Sequence, residues 1–117
     1  MKKNKKIKMY NEILNNYENK VEVNGVIAKK FFDTDINNNK FSKIIIENEK
    51  VIKDKKYITS IKCYLYNSLY NLVKNNGYKY GDYVKIIGEL QNRNDNLVIF
   101  VNQIKLINKK ECCDENY

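Results

Sequence analysis

Few side chains in this sequence can do covalent chemistry. The 117 residues include no histidine, which removes every mechanism that needs imidazole as a base or a metal ligand. The three cysteines, Cys63, Cys112 and Cys113, show no CxxC spacing, so neither a zinc site nor a dithiol redox motif is expected. Cys63 lies in an apolar run and reads as a small core residue. Cys112 and Cys113 read as incidental reduced thiols in a polar tail. Asp33 and Asp35 offer a close carboxylate pair in a loop, too little by itself for metal-assisted hydrolysis. The expectation is a protein that binds rather than catalyses, with no cofactor and no metal.

The residues left to do something are lysines and rings. The chain has 22 Lys+Arg against 14 Asp+Glu, a net charge of +8, with Arg93 as its one arginine, 10 Tyr, 4 Phe and no Trp. The wealth of Lys, Asn and Ile fits an AT-rich gene, so lysine over arginine says little about recognition. The net charge is informative: residues 1–20 carry +4, residues 21–108 carry +5 and residues 109–117 carry −1. A basic central domain favours a polyanionic partner, against the plain alternative of charge kept for solubility. Holding single-stranded nucleic acid without reading it needs cations for phosphates and flat rings for bases. Lys62, Tyr64 and Tyr66 alternate on one face of a strand, and Tyr57 begins that strand beside a basic connection. Lys50, Lys53, Lys55 and Lys56 in that connection, Lys85 facing outward and Arg93 in the final hairpin are candidate phosphate contacts. The tyrosines have a bland reading too, as rings that cover a small sheet or fill a dimer interface. Phe31, Phe32 and Phe41 read as core or loop-base packing, with Phe32 able to face the groove.

Five strands and one helix must position these residues. Period-two alternation predicts strands over about 21–32, 41–47, 57–66, 83–90 and 97–107, with a bend or close approach at Gly25. A break in alternation at Asn102 and Gln103 predicts a bulge. Polar loops are expected at 33–40 and 91–96, and a charged connection at 48–56. A helix over 67–76 should stop at Gly77 in a left-handed cap. Residues 1–19 read as a basic arm with a short helix (Met9, Ile13 and Tyr17, with Tyr10 and Leu14) that caps a barrel end or meets a partner. The domain is placed at 20–108 and a polar tail at 109–117. Three strands, a helix and a two-stranded hairpin make an all-β, five-stranded oligonucleotide/oligosaccharide-binding (OB) Greek-key barrel. No run is long enough to span a membrane, and no signal-peptide core follows the basic start, so a cytoplasmic protein is expected, nucleoid-associated if bacterial, plasmid or phage encoded.

The stretch Tyr64-Leu65-Tyr66-Asn67-Ser68-Leu69, then Leu72, then Tyr80-Gly81-Asp82-Tyr83-Val84-Lys85-Ile86-Ile87-Gly88-Glu89-Leu90 resembles the bacterial and mitochondrial single-stranded DNA-binding proteins. Val21 to Ile27, with Gly25 inside, is similar to that family's opening strand. Gln103 to Ile107 resembles its last strand, and equally that of primosomal replication protein N, a related dimeric barrel. The likeness covers about residues 20–107. It implies sequence-independent binding of single-stranded DNA in replication, recombination or repair, a base stacked on Tyr66, and a homo-oligomer, tetrameric or dimeric. RNA and replication proteins are further partners it allows. The family's tryptophans and its long disordered tail with an acidic tip are absent; Glu111, Asp114, Glu115 and Tyr117 are a short echo of the tail. Alternatives are a primosome-type accessory that also binds a helicase-loading partner, or a barrel serving only protein–protein contact.

Overall fold

A computed structural model describes residues 18–110. The expected N-terminal helix, Cys112, Cys113 and nearly all of the polar tail lie outside the described residues. The elements are β1 (Val21–Thr34), β2 (Lys40–Ile52), β3 (Lys55–Tyr66), α1 (Ser68–Asn76), β4 (Tyr83–Arg93) and β5 (Asn96–Asn108). The strands close into a barrel in the order β1-β2-β3-β5-β4, with β4 returning to β1. All pairings are antiparallel except β3 with β5, which run parallel over Cys63↔Ile99 and Tyr64↔Phe100 alone. The expected architecture, with the helix between the third and fourth strands, is what forms.

Alternation builds the interior. Ile27, Ile44, Ile46, Cys63, Leu65, Val84 and Ile86 are fully buried, joined by Ile99, Val101 and Ile104 from β5. Val73 of α1 packs into the same cluster, and the helix ends at Gly77, whose φ of 64° takes the left-handed cap expected of it. The register slips where alternation fails. Asn102 is the extra residue between Ile87↔Gln103 and Gly88↔Val101, at the bulge the sequence indicates. A second bulge, at Ala28 between Ile27↔Ile46 and Lys29↔Ile45, re-aims the end of β1. The Lys30 ammonium then donates to the Tyr78 carbonyl at 2.6 Å, and Phe32 meets Tyr70 of α1 edge-on at 5.7 Å.

The polar stretches differ most from expectation. Residues 48–56 are largely ladder: Asn48↔Thr59 through Ile52↔Lys55 pair, leaving Lys53 and Asp54 as a two-residue turn. Arg93↔Asn96 likewise leaves only Asn94 and Asp95. Both turns hold two consecutive left-handed residues, at φ 50° and 64° and at 52° and 65°, the geometry that matches the twist of a tight hairpin. Neither contains the glycine that usually announces such a turn, so composition reads them as longer loops. Since β1 leaves β2 at Val26↔Glu47, residues 48–59 project as a two-stranded arm about 17 Å long at 3.3 Å per residue.

Asp82, 1% exposed, ties the turn before β4 to the end of β5. Its carboxylate accepts the Lys79 N–H at 2.9 Å and the Lys110 N–H at 3.0 Å. Gly81, at φ 93°, donates its N–H to the Ile27 carbonyl at 2.9 Å. Burial pushes the Cys63 thiol up to about 12, so the reactive thiolate is scarce at pH 8. In a chain carrying Cys112→Ser and Cys113→Ser, iodoacetamide at pH 8 is expected to spare Cys63 in the native protein and modify it in guanidinium. Rapid native labelling, followed by mass spectrometry, would contradict that burial.

Candidate nucleic-acid interface

The residues that alternate with the core form the barrel's outer face. Phe41 lies opposite Tyr66 and Lys43 opposite Tyr64 on β2 and β3. Phe31 lies opposite Lys43, and Phe100 lies beside Tyr64. Four half-buried rings meet there in a closed quartet. Phe41 is 5.6 Å from Tyr64 and 5.4 Å from Tyr66, and Phe100 is 5.9 Å from each tyrosine, with planes tilted by 28–31°. The β4–β5 hairpin lays Arg93 over this quartet. The guanidinium carbon is 4.6 Å from the Tyr64 centroid, 5.5 Å from Phe41, 5.7 Å from Phe100 and 5.9 Å from Tyr66. Arg93 Nη1 also donates to the Tyr66 hydroxyl at 2.7 Å. A planar cation thus covers the ring cluster in cation–π contact. Lys43 adds a second cation, 5.0 Å from the Phe31 ring.

No protein-family model matches the chain, and no curated protein sequence matches it. Solved structures do. The mitochondrial single-stranded DNA-binding protein Rim1 of S. cerevisiae superposes with a TM-score of 0.69 at 19% identity, over 80% of this chain and 97% of that one. A small single-stranded DNA-binding protein of Mycoplasma pneumoniae gives 0.64 at 15%, over 81% and 100%. PriB of Ralstonia solanacearum gives 0.65 at 8%, over 78% and 99%. The fold is the OB barrel. Both groups of proteins that the sequence resembles are among these structures.

On this OB barrel the sequence-derived candidates separate into two sets. Tyr64, Tyr66, Lys62 and Arg93 share the outer face. Tyr57 does not: with Lys50 and Lys55 it continues the register of the inward-facing positions, on the opposite face of the arm, and Lys53 sits at the arm's tip. Lys56 pairs with Glu49 at 3.3 Å. Lys85 lies on the β1–β4 flank and holds Glu22 at 2.9 Å, and that bond keeps the Glu22 carboxyl below the usual carboxylate range. Both lysines thus have a carboxylate beside them, in solvent-exposed pairs of the kind that hold a side chain only weakly. Asp33 and Asp35 are absorbed by turn geometry, Asp33 accepting the Thr34 N–H and Asp35 those of Asn37 and Asn39.

Phe41, Phe100 and Lys43 belong to the OB-barrel face, although sequence reasoning did not nominate them. Phe41 is not core: Ser42, Ile44 and Ile46 point inward, so parity turns it outward. Phe31 and Phe32 are also too exposed for core, at 46% and 43%. The missing side chain at Gly88 lets the Phe100 backbone come close, because a Cβ on Gly88 would collide with the Phe100 carbonyl oxygen and press on Ile99. Gly88→Ala is therefore expected to cost about 1–3 kcal/mol in urea denaturation, the range for overpacking, and to loosen the quartet through β5. Unchanged stability would mean that β4 and β5 separate freely there.

Proposed function

We propose that this protein binds single-stranded DNA without requiring a particular sequence, as a non-enzymatic component of replication, recombination or repair. The single observation that supports it is the ring quartet under Arg93 on a cationic OB-barrel face. Stacking is worth about 1–3 kcal/mol per base and accepts any base, since each has a π-face. Tyr64, Tyr66, Phe41 and Phe100 supply the faces; Arg93, Lys43 and Lys62 lie within the same face for phosphates. Lys50 and Lys55, with Tyr57, lie on the opposite face of the arm and Lys53 at its tip, where they offer a second cationic surface for strand leaving the quartet. The Rim1 and Mycoplasma proteins are named for single-stranded DNA binding, which fits this reading. One small barrel covers few nucleotides, so a homo-oligomer is part of the proposal. No helix among the described residues is long and apolar enough to cross a membrane.

The test is quenching of tyrosine fluorescence by oligo-dT at several ionic strengths, with the mass of the free protein measured alongside. Affinity should fall steeply with salt, with a log–log slope of about −2 to −4 for three to six neutralised phosphates. Tighter binding of duplex would overturn the stacking reading. No oligonucleotide affinity, with a defined protein partner, would favour the pure interaction module.

A further inference from the structure

Next to the quartet lies an open cleft of about 390 Å³ whose walls include Tyr64, Tyr66 and Phe100. Leu69 and Val101 add apolar wall, and five polar residues complete the lining: Asn67, Ser68, Glu89, Gln91 and Asn102. Among the described residues none of these five side chains makes a hydrogen bond, and Glu89 has no ion-pair partner. The backbone register Glu89↔Phe100 across β4 and β5 sets Glu89 beside the platform. We infer that this cleft reads the edge of the base stacked on the quartet, and that Glu89 selects bases bearing an exocyclic amino group over thymine or uracil. The inference rests on the proposed single-strand binding and adds a preference that stacking alone cannot supply.

The chemistry follows from donor and acceptor counts. An ionised carboxylate only accepts. Cytosine presents its N4 amino group, adenine its N6 amino group and guanine its N2 amino group to such an acceptor, and Glu with cytosine N4 is an established pairing. Thymine presents carbonyl oxygens on both sides of a single N–H, so at least one oxygen faces the carboxylate unfavourably. The amides of Asn67, Gln91 and Asn102 both donate and accept, so they adapt to any base; Glu89 is the group that discriminates. A carboxylate on a cationic face also opposes phosphate, so it gives nothing to grip on the backbone.

The test compares dC15 with dT15 at one salt concentration and pH 7.5, by tyrosine quenching, for the native protein and for Glu89→Gln. The native protein is expected to hold dC15 about threefold to tenfold tighter, the span of one net hydrogen bond. In Glu89→Gln the ratio should approach one. Loss of a negative charge strengthens both complexes alike, so the ratio, not either constant, is the readout. Glu89 is exposed, and an unchanged melting temperature checks that the variant is folded. A native ratio at or below one, or a preference that survives in Glu89→Gln, overturns the inference and leaves single-strand binding intact. Binding to neither oligomer overturns both.

Discussion

Replacing Tyr64 and Tyr66 together with alanine is expected to weaken single-strand binding by about 2–6 kcal/mol, from some thirtyfold to above ten-thousandfold, at constant salt. Two of four rings disappear from the quartet, including the one 4.6 Å beneath Arg93. The low end of the range is favoured by Arg93 itself. Its guanidinium already covers the rings in the free protein, so a base gains only the difference between its own stacking and the cation–π contacts it displaces. The slope of affinity against salt should stay near the native value, because it counts phosphates and not stacked bases. Tyr66→Phe keeps the ring but removes the oxygen that accepts from Arg93 Nη1, so its affinity should remain close to native. The two single alanine variants will not sum to the double, since the rings touch a shared neighbour on each side. Binding within threefold of native in the double variant would place the nucleic acid elsewhere.

Asp82→Ala should cost about 2–4 kcal/mol of folding stability. The side chain is buried, and its removal strands the N–H groups of Lys79 and Lys110, each at about 1–3 kcal/mol when left unsatisfied. Asp82→Asn, which retains one carbonyl oxygen, should lose less. Urea titration followed by circular dichroism measures both, and a loss below about 1 kcal/mol for alanine would show that water takes over the two donors. Protection of the Lys110 amide from hydrogen exchange should vanish in the alanine variant.

Asp82 also shows what a sequence reading does and does not reach here. The spacing Gly81-Asp82 … Gly88 … Leu90 carries the resemblance to single-strand binders, yet three of these positions build the frame: Gly81 turns, Asp82 ties, and Gly88 lets β5 approach. Alternation located the strands, and with them the shared outward face of Lys62, Tyr64 and Tyr66. It could not orient Phe100, because Leu97-Val98-Ile99-Phe100-Val101 is apolar at every position and has no parity to read. The quartet depends on β3 meeting β5, a pairing between residues far apart in the chain. The ion pair of Lys85 with Glu22 depends on β4 closing onto β1 and is equally remote. Arg93 could be assigned to a hairpin from its neighbours, but its place above four rings follows from how that hairpin curls over the sheet.

The parallel contact of β3 with β5 has a thermodynamic consequence. Only Cys63↔Ile99 and Tyr64↔Phe100 zip that seam, while every other junction of the barrel is a longer ladder. Tyr64 and Phe100 stand on its two banks with centroids 5.9 Å apart. A nucleotide lying across both would staple the thinnest join of the cylinder shut. Occupancy should therefore slow amide exchange first along 63–66 and 98–101, ahead of the β1–β2 side. At a hundredfold excess of oligonucleotide over its dissociation constant, mass action adds about 2.7 kcal/mol to the folded state.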